Sequence, residues 1–259
     1  MTVQPPVWVV SLSRATDRRE YVVRAFDDVG IRVELLDAVD GRSLTAEQRA
    51  AYGHRQSLYT VGRGLSTGEV AIVHSHLAAY RRMLDEHLPA VVVAEDDAEP
   101  SPDFPDVLAA VDALPTDWDV VTMHSMFSWS NPVPIDDRML AGRYRVCRYR
   151  RVSEGAQCYM ISARAAQRML DVALPIRLPI DEMLFRARPA GLQVYGIEPN
   201  PVGEHGFPSE LSRRRDPMEE DSALGLVERA IVTSGKISAR AHRRLDRMRA
   251  AAPAVSGDA

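Results

Sequence analysis

The run Leu88-Pro89-Ala90-Val91-Val92-Val93-Ala94-Glu95-Asp96-Asp97-Ala98 constrains the fold more than any other part of the chain. A short apolar segment rich in β-branched residues reads as a strand buried on both faces, which belongs inside an α/β sheet. Three consecutive carboxylates repel one another, and they place the strand's end at the carboxyl edge of the sheet, where such folds bind ligands. Side chains alternate along a strand, so Glu95 and Asp97 are predicted on one side and Asp96 on the other. Two converging carboxylates suit Mg²⁺ or Mn²⁺, which completes its shell with substrate phosphate oxygens. The competing account is a solvated acidic turn that starts at Ala98-Glu99-Pro100.

The flanking pattern supports an α/β class. Val7 to Leu12 reads as a strand, and Ser13 to Asp17 as a turn with a helix start. Apolar residues recur at helical spacing from Arg18 to Val29, and Gly30 then precedes a strand from Ile31 to Leu36. A βαβ opening of this kind predicts parallel pairing. Beyond Asp37-Ala38-Val39-Asp40-Gly41, Thr45 is predicted to cap a short helix through Tyr52, and the remaining polar stretch to Gly64 reads as a loop over the sheet. Ser66-Thr67-Gly68-Glu69 has the form of a capping box ahead of a helix from Val70 to Leu84.

Further along, Phe104–Ala113 reads as helix, Trp118–Met123 as strand, Val146–Arg151 as an edge strand, Gln157–Ile161 as strand and Ala163–Ala173 as helix. Prolines confine a short helix to Ile180–Ala187. After about residue 210 the composition shifts to an arginine-rich helical pattern. The predicted organisation is therefore one domain over 1–210 and a helical appendage over 211–259 with a disordered end. The face carrying Arg240, Arg243, Arg244, Arg247 and Arg249 suits either solvent or an anionic membrane surface.

A net charge of −4 and a pI near 6.0 give no reason to look for a nucleic-acid partner. The N-terminal apolar stretch is too short for a secretory or membrane-spanning segment, so a cytoplasmic location is predicted, with peripheral contact at the inner membrane face as the variant. Cys147 and Cys158 lack metal-type spacing and read as buried thiols.

Four separated motifs then carry a resemblance. Val9 to Arg19 is similar to the opening segment of glycosyltransferase family 25, although Ser11 stands where that family usually has asparagine. Asp37-Ala38-Val39-Asp40-Gly41, the Gly68-Glu69 to Ser75-His76 helix and the Glu95-Asp96-Asp97 strand end follow in the family's order. The resemblance implies a GT-A type fold, a Rossmann-like mixed sheet flanked by helices, and inverting transfer of galactose or glucose from a UDP-sugar to a hydroxyl of a carbohydrate-type acceptor with the help of Mn²⁺ or Mg²⁺. It implies that Asp97 and Glu95 bind the metal, with His205 as a third ligand, and that Glu95 and Asp96 also contact the donor. Asp181 is the leading general base, with Glu182 behind it; the alternative for Asp181 is a helix cap.

Arg14, Asp17 and Arg18 follow the first strand, where a guanidinium fork suits a diphosphate; surface salt bridges are the alternative. Asp37 and Asp40 are candidates for the uracil or ribose, or for a local Asp-Gly turn. His76 is either a satisfied core histidine or a partner of the acidic cluster. Two other functions compete: a sugar-nucleotide pyrophosphorylase, which lacks its glycine-rich, lysine-containing loop here, and a catalytically silent scaffold.

Overall fold

The computed structural model describes residues 4–125, 132–134, 139–149, 155–185 and 191–207. The predicted appendage over 211–259, with its arginine face, lies outside the described residues. None of the described helices is long and apolar enough to cross a membrane.

The strands are β1 (Val7–Ser11), β2 (Val33–Asp37), β3 (Ala90–Glu95), β4 (Ala98–Pro100), β5 (Val120–Thr122), β6 (Pro132–Pro134), β7 (Arg145–Tyr149), β8 (Cys158–Ser162), β9 (Val194–Glu198) and β10 (Val202–Glu204). Eight of them form one mixed sheet in the order β2-β1-β3-β8-β5-β9-β7-β6, while β4 and β10 pair separately. The helices are α1 (Thr16–Asp27), α2 (Ala46–Ala50), α3 (His54–Val61), α4 (Thr67–Asp85), α5 (Phe104–Ala109), α6 (Ala163–Val172) and α7 (Ile180–Phe185). This is the α/β, Rossmann-like mixed sheet flanked by helices that the resemblance implied.

Strand alternation sorts the sheet into two cores. Trp8 and Val10 of β1, with Val91 and Val93 of β3 and Tyr159 and Ile161 of β8, pack on the side of α4, α6 and α7. Val7, Val9, Val92, Ala94 and Met160 pack on the opposite side, against Phe26 of α1 and Phe104 of α5. Glu95 continues the Val91-Val93 row, so it belongs to the α4 side of the sheet. The long helix α4 forms because Ser66 and Glu69 close the predicted capping box and because Val70, Val73, Leu77, Tyr80 and Met83 recur on one buried face.

Three expectations are corrected. The stretch before Gly64 holds a helix, α3, ended by Gly62 in the left-handed conformation (φ 77°), because buried Leu58 anchors an otherwise polar segment. β7 is not the edge strand: β6, bounded by prolines that cannot donate to a ladder, lies outside it. Ala98–Pro100 is neither turn nor loop but the short strand β4, antiparallel to β10. Both cysteines are buried free thiols.

Candidate active site

A cleft of about 570 Å³ opens at the carboxyl ends of β1 and β3, walled by the β1–α1 turn, the Asp40-Gly41 turn and the N-terminal half of α4. Parallel pairing brings this about, because Val10 of β1 lies beside Glu95 of β3 and Ser11 beside Asp37 of β2. Of the predicted residues, Arg14, Arg18, Asp40, His76, Glu95, Asp96 and Asp97 line the cleft. Asp17 is exposed and Asp37 is turned to Arg19, so neither is among the lining residues.

The acidic triplet does not alternate as a strand, because β3 stops at Glu95 and Asp96-Asp97 form a turn. That turn lets one guanidinium reach both aspartates. Arg18 Nε donates to Asp96 Oδ1 at 2.6 Å, and Arg18 Nη2 donates to Asp97 Oδ2 at 2.8 Å. Ser11 Oγ donates to the other Asp96 oxygen at 2.6 Å. Asp96 is thus held on both oxygens, whereas Asp97 Oδ1 is buried without a hydrogen bond. Burial lifts the Asp97 carboxyl above its ordinary value, against the pull of Arg18 and with help from Asp96 and Glu204. Glu95, which accepts no hydrogen bond among the described residues, is raised well above the usual carboxylate range by desolvation and then by the charges of Asp97, Asp96 and Asp181.

Arg14 Nε donates to Asp40 Oδ2 at 2.8 Å, and Asp40 Oδ1 accepts from the Arg42 amide at 3.0 Å. These bonds, Arg14 first, hold the Asp40 carboxyl below its ordinary value. The turn sits tightly on α4: a Cβ at Gly41 would come within 3.0 Å of the Thr67 backbone. The Arg14 and Asp40 readings therefore both have a local component, a salt bridge and an Asp-Gly turn, inside the cleft wall.

Asp181 lies within the first turn of α7 rather than at its cap position. Its carboxylate accepts from the Glu182 amide at 2.8 Å and from the Gly155 amide at 3.4 Å. It does not line the cleft itself, although its charge reaches Glu95. His205 is placed by the β4–β10 pair, and its amide donates to the Asp97 carbonyl at 2.7 Å. The ring, however, lies tilted against Tyr21 with centroids 4.0 Å apart and meets Phe207 at 4.5 Å. Phe207 in turn lies under Arg18, 5.3 Å from ring to guanidinium.

No group of three metal-type side chains converges among the described residues. The donors that remain are the orphaned Asp97 Oδ1 and the Glu95 carboxylate. Both are hard oxygen donors on residues that line the cleft, the type that suits Mg²⁺ or Mn²⁺.

Sequence reasoning missed several participants. Arg42, Arg49, Thr67 and Gly68 join the lining. Ser11 holds Asp96. Behind the wall, His76 Nδ1 contacts Tyr159 Oη at 2.6 Å, and Tyr159 Oη contacts Tyr80 Oη at 2.5 Å. The four-residue spacing of His76 and Tyr80 on one helix was the available signal for the last group.

A Rossmann-like mixed sheet whose first and third strands end in an acidic, arginine-lined cleft matches the GT-A architecture that the resemblance implied. Comparison with known families agrees, since the sequence model described as "Glycosyltransferase family 25 (LPS biosynthesis protein)" matches residues 4–184. The chain belongs to glycosyltransferase family 25. Procollagen galactosyltransferase 1 of Danio rerio is 29% identical over 192 residues, covering 69% of this chain and 30% of the relative. A Bos taurus protein named "Probable inactive glycosyltransferase 25 family member 3" is 29% identical over 193 residues, covering 69% and 31%. A Drosophila melanogaster glycosyltransferase 25 family member is 31% identical over 105 residues, covering 38% and 17%. The chain thus spans less than a third of the length of these curated relatives.

Proposed function

We propose that this chain transfers a hexose, galactose or glucose, from a UDP-sugar to a hydroxyl of a carbohydrate-type acceptor with inversion, as a cytoplasmic enzyme. One observation carries the reading: four arginines, Arg14, Arg18, Arg42 and Arg49, share a cleft with Glu95 and the half-satisfied Asp97. Guanidinium groups suit a diphosphate, and fixed positive charge stabilises the charge that develops on it as the glycosidic bond breaks. The galactosyltransferase named among the relatives favours a galactosyl donor.

Asp97 Oδ1 and Glu95 would hold Mn²⁺ or Mg²⁺, which when bound adds positive charge beside the leaving diphosphate. Arg18 also ties Asp96 to Asp97 and fixes the acidic turn before substrate arrives. Asp40 holds Arg14 in the cleft lining. Inversion in a single displacement needs one base for the acceptor proton, and Asp181, oriented by the Glu182 and Gly155 amides, is the proposed group.

The test is transfer itself: the protein is incubated with UDP-galactose or UDP-glucose, Mn²⁺ and a panel of glycan acceptors, and products are read by mass spectrometry. A hexose-extended product with release of UDP, lost in Asp97→Asn and Asp181→Asn, supports the proposal. Failure to release UDP from any donor favours the silent scaffold, for which the relative named as probably inactive offers a precedent.

A further inference from the structure

The buried group behind the cleft wall consists of His76 and Tyr80 on α4 and Tyr159 on β8. His76 is 1% exposed and the two tyrosines 0%. Tyr159 is cross-strand from Val93 on β3, so it shares the α4 side of the sheet with Glu95, two residues further along. The imidazole stacks on the phenol of Tyr159 at 15° and 5.8 Å. These three residues make two short polar contacts, and neither tyrosine hydroxyl has another partner among the described residues.

Burial keeps the chemistry simple. It pushes the His76 imidazole down to about 4 and both phenols upward, so at neutral pH all three groups are uncharged. Their hydrogens can then be counted. If the ring hydrogen sits on Nε2, Tyr80 donates to Tyr159, Tyr159 donates to Nδ1, and both contacts are satisfied. If it sits on Nδ1, three hydrogens must share two contacts, and one buried phenol hydrogen is left without an acceptor. That deficit disfavours the second arrangement by about tenfold or more.

The Nε2 atom makes no hydrogen bond among the described residues, yet it is not among the sealed, unpartnered atoms, and His76 lines the cleft. An N–H donor without a partner among the described residues therefore borders the cleft. The arginines and the carboxyls of the acidic turn suit phosphate and metal; a neutral N–H suits an uncharged oxygen.

We propose that Tyr80 and Tyr159 are positioning residues that lock His76 in its Nε2–H tautomer, and that His76 donates this hydrogen to a hydroxyl of the hexose of the nucleotide-sugar. The substrate half rests on the transferase reading above; the tautomer half does not. The pair would make His76 a selector of UDP-sugar over UDP.

Long-range ¹H–¹⁵N spectra of the full chain labelled at histidine, with His76→Gln to assign the signals, read the tautomer in the free protein. The Nε2–H pattern is expected in the wild type and in Tyr80→Phe, where Tyr159 still donates to Nδ1, and the preference is lost in Tyr159→Phe. An Nδ1–H pattern or an imidazolium in the wild type overturns the proposal, and this reading survives if Tyr159→Phe fails to fold. Calorimetry with UDP and with UDP-galactose tests the contact. His76→Asn should bind UDP-galactose about five- to tenfold more weakly, the worth of one neutral hydrogen bond, while its UDP affinity stays within about twofold. Equal losses for both ligands, or no loss, overturn the sugar contact. If the wild type binds neither, the transferase reading fails and the sugar contact with it, while the tautomer stands or falls on the free-protein spectrum.

Discussion

Replacing Arg18 with methionine keeps the aliphatic stem and removes the charge that bridges the acidic turn. The Arg18 side chain is 17% exposed and those of Asp96 and Asp97 are 12% and 10% exposed, so solvent screens the pairs only weakly. Removing one partner of such a buried pair leaves uncompensated charge and costs about 3–5 kcal/mol. Two charge-assisted bonds at about 1.5–3 kcal/mol each give the same range. At about 2–4 °C per kcal/mol for a chain of this size, the melting temperature should fall by about 10 °C at pH 7.5. Without Arg18 the Asp97 carboxyl, already raised by burial, loses the charge that pulls it down, so it binds a proton more readily folded than unfolded. Its penalty is then present at neutral pH and relieved as pH falls through the raised value, and the loss should shrink by pH 5. Urea unfolding of both proteins at the two pH values measures this. A loss under about 1 kcal/mol, or one equal at both pH values, would refute the claim that Arg18 neutralises the turn.

His76 makes its own pH signature: its folded value near 4 lies below the ordinary 6.5, so the stability of the neutral form is full above pH 6.5 and is lost as pH falls toward 4. The full contribution is roughly 3 kcal/mol, and His76→Gln should flatten that part of the stability curve, as followed by urea unfolding between pH 7 and pH 4.5. Gly41→Ala drives a methyl into the Thr67-Gly68 backbone and should cost about 1–3 kcal/mol while weakening UDP binding, measured by thermal unfolding and calorimetry. Asp119 is fully buried and accepts from Arg164 at 2.8 Å and from the Gln193 amide at 2.8 Å, tying β5 to α6 and to the start of β9. Since Arg164 is half exposed and can rehydrate, Asp119→Ala should cost about 2–3 kcal/mol of unfolding free energy, mostly from the stranded amide, without changing nucleotide affinity. A loss of affinity there would mean that this end of the sheet communicates with the cleft.

The parts of the fold that were legible in the sequence are those specified locally. Helix α4 carries its capping box and its apolar spacing in consecutive residues, and β3 announces both its burial and its acidic end. What could not be read depends on reach across the chain. Arg18 meets Asp96 over a separation of 78 residues, and nothing near either residue signals that meeting. The alternation rule failed at Asp96-Asp97 because it holds only while the strand lasts, and the strand's last residue is set by pairing with β8 and β1 rather than by composition. Helix α3 escaped notice since a single buried leucine, not a periodic face, holds it down. In the site, His76 and Tyr80 share a helix face that the sequence displays, whereas Tyr159 arrives from a strand that only the sheet order brings beside them.

The central claim is that Glu95 and Asp97 build a cation-assisted site for a nucleoside diphosphate beside the arginines. Titration calorimetry of UDP into the wild type with Mn²⁺, into the wild type with EDTA, and into Asp97→Asn with Mn²⁺ tests it most directly. The account predicts binding in the first case and at least tenfold weaker binding in the other two. Equal UDP affinity in all three would contradict it.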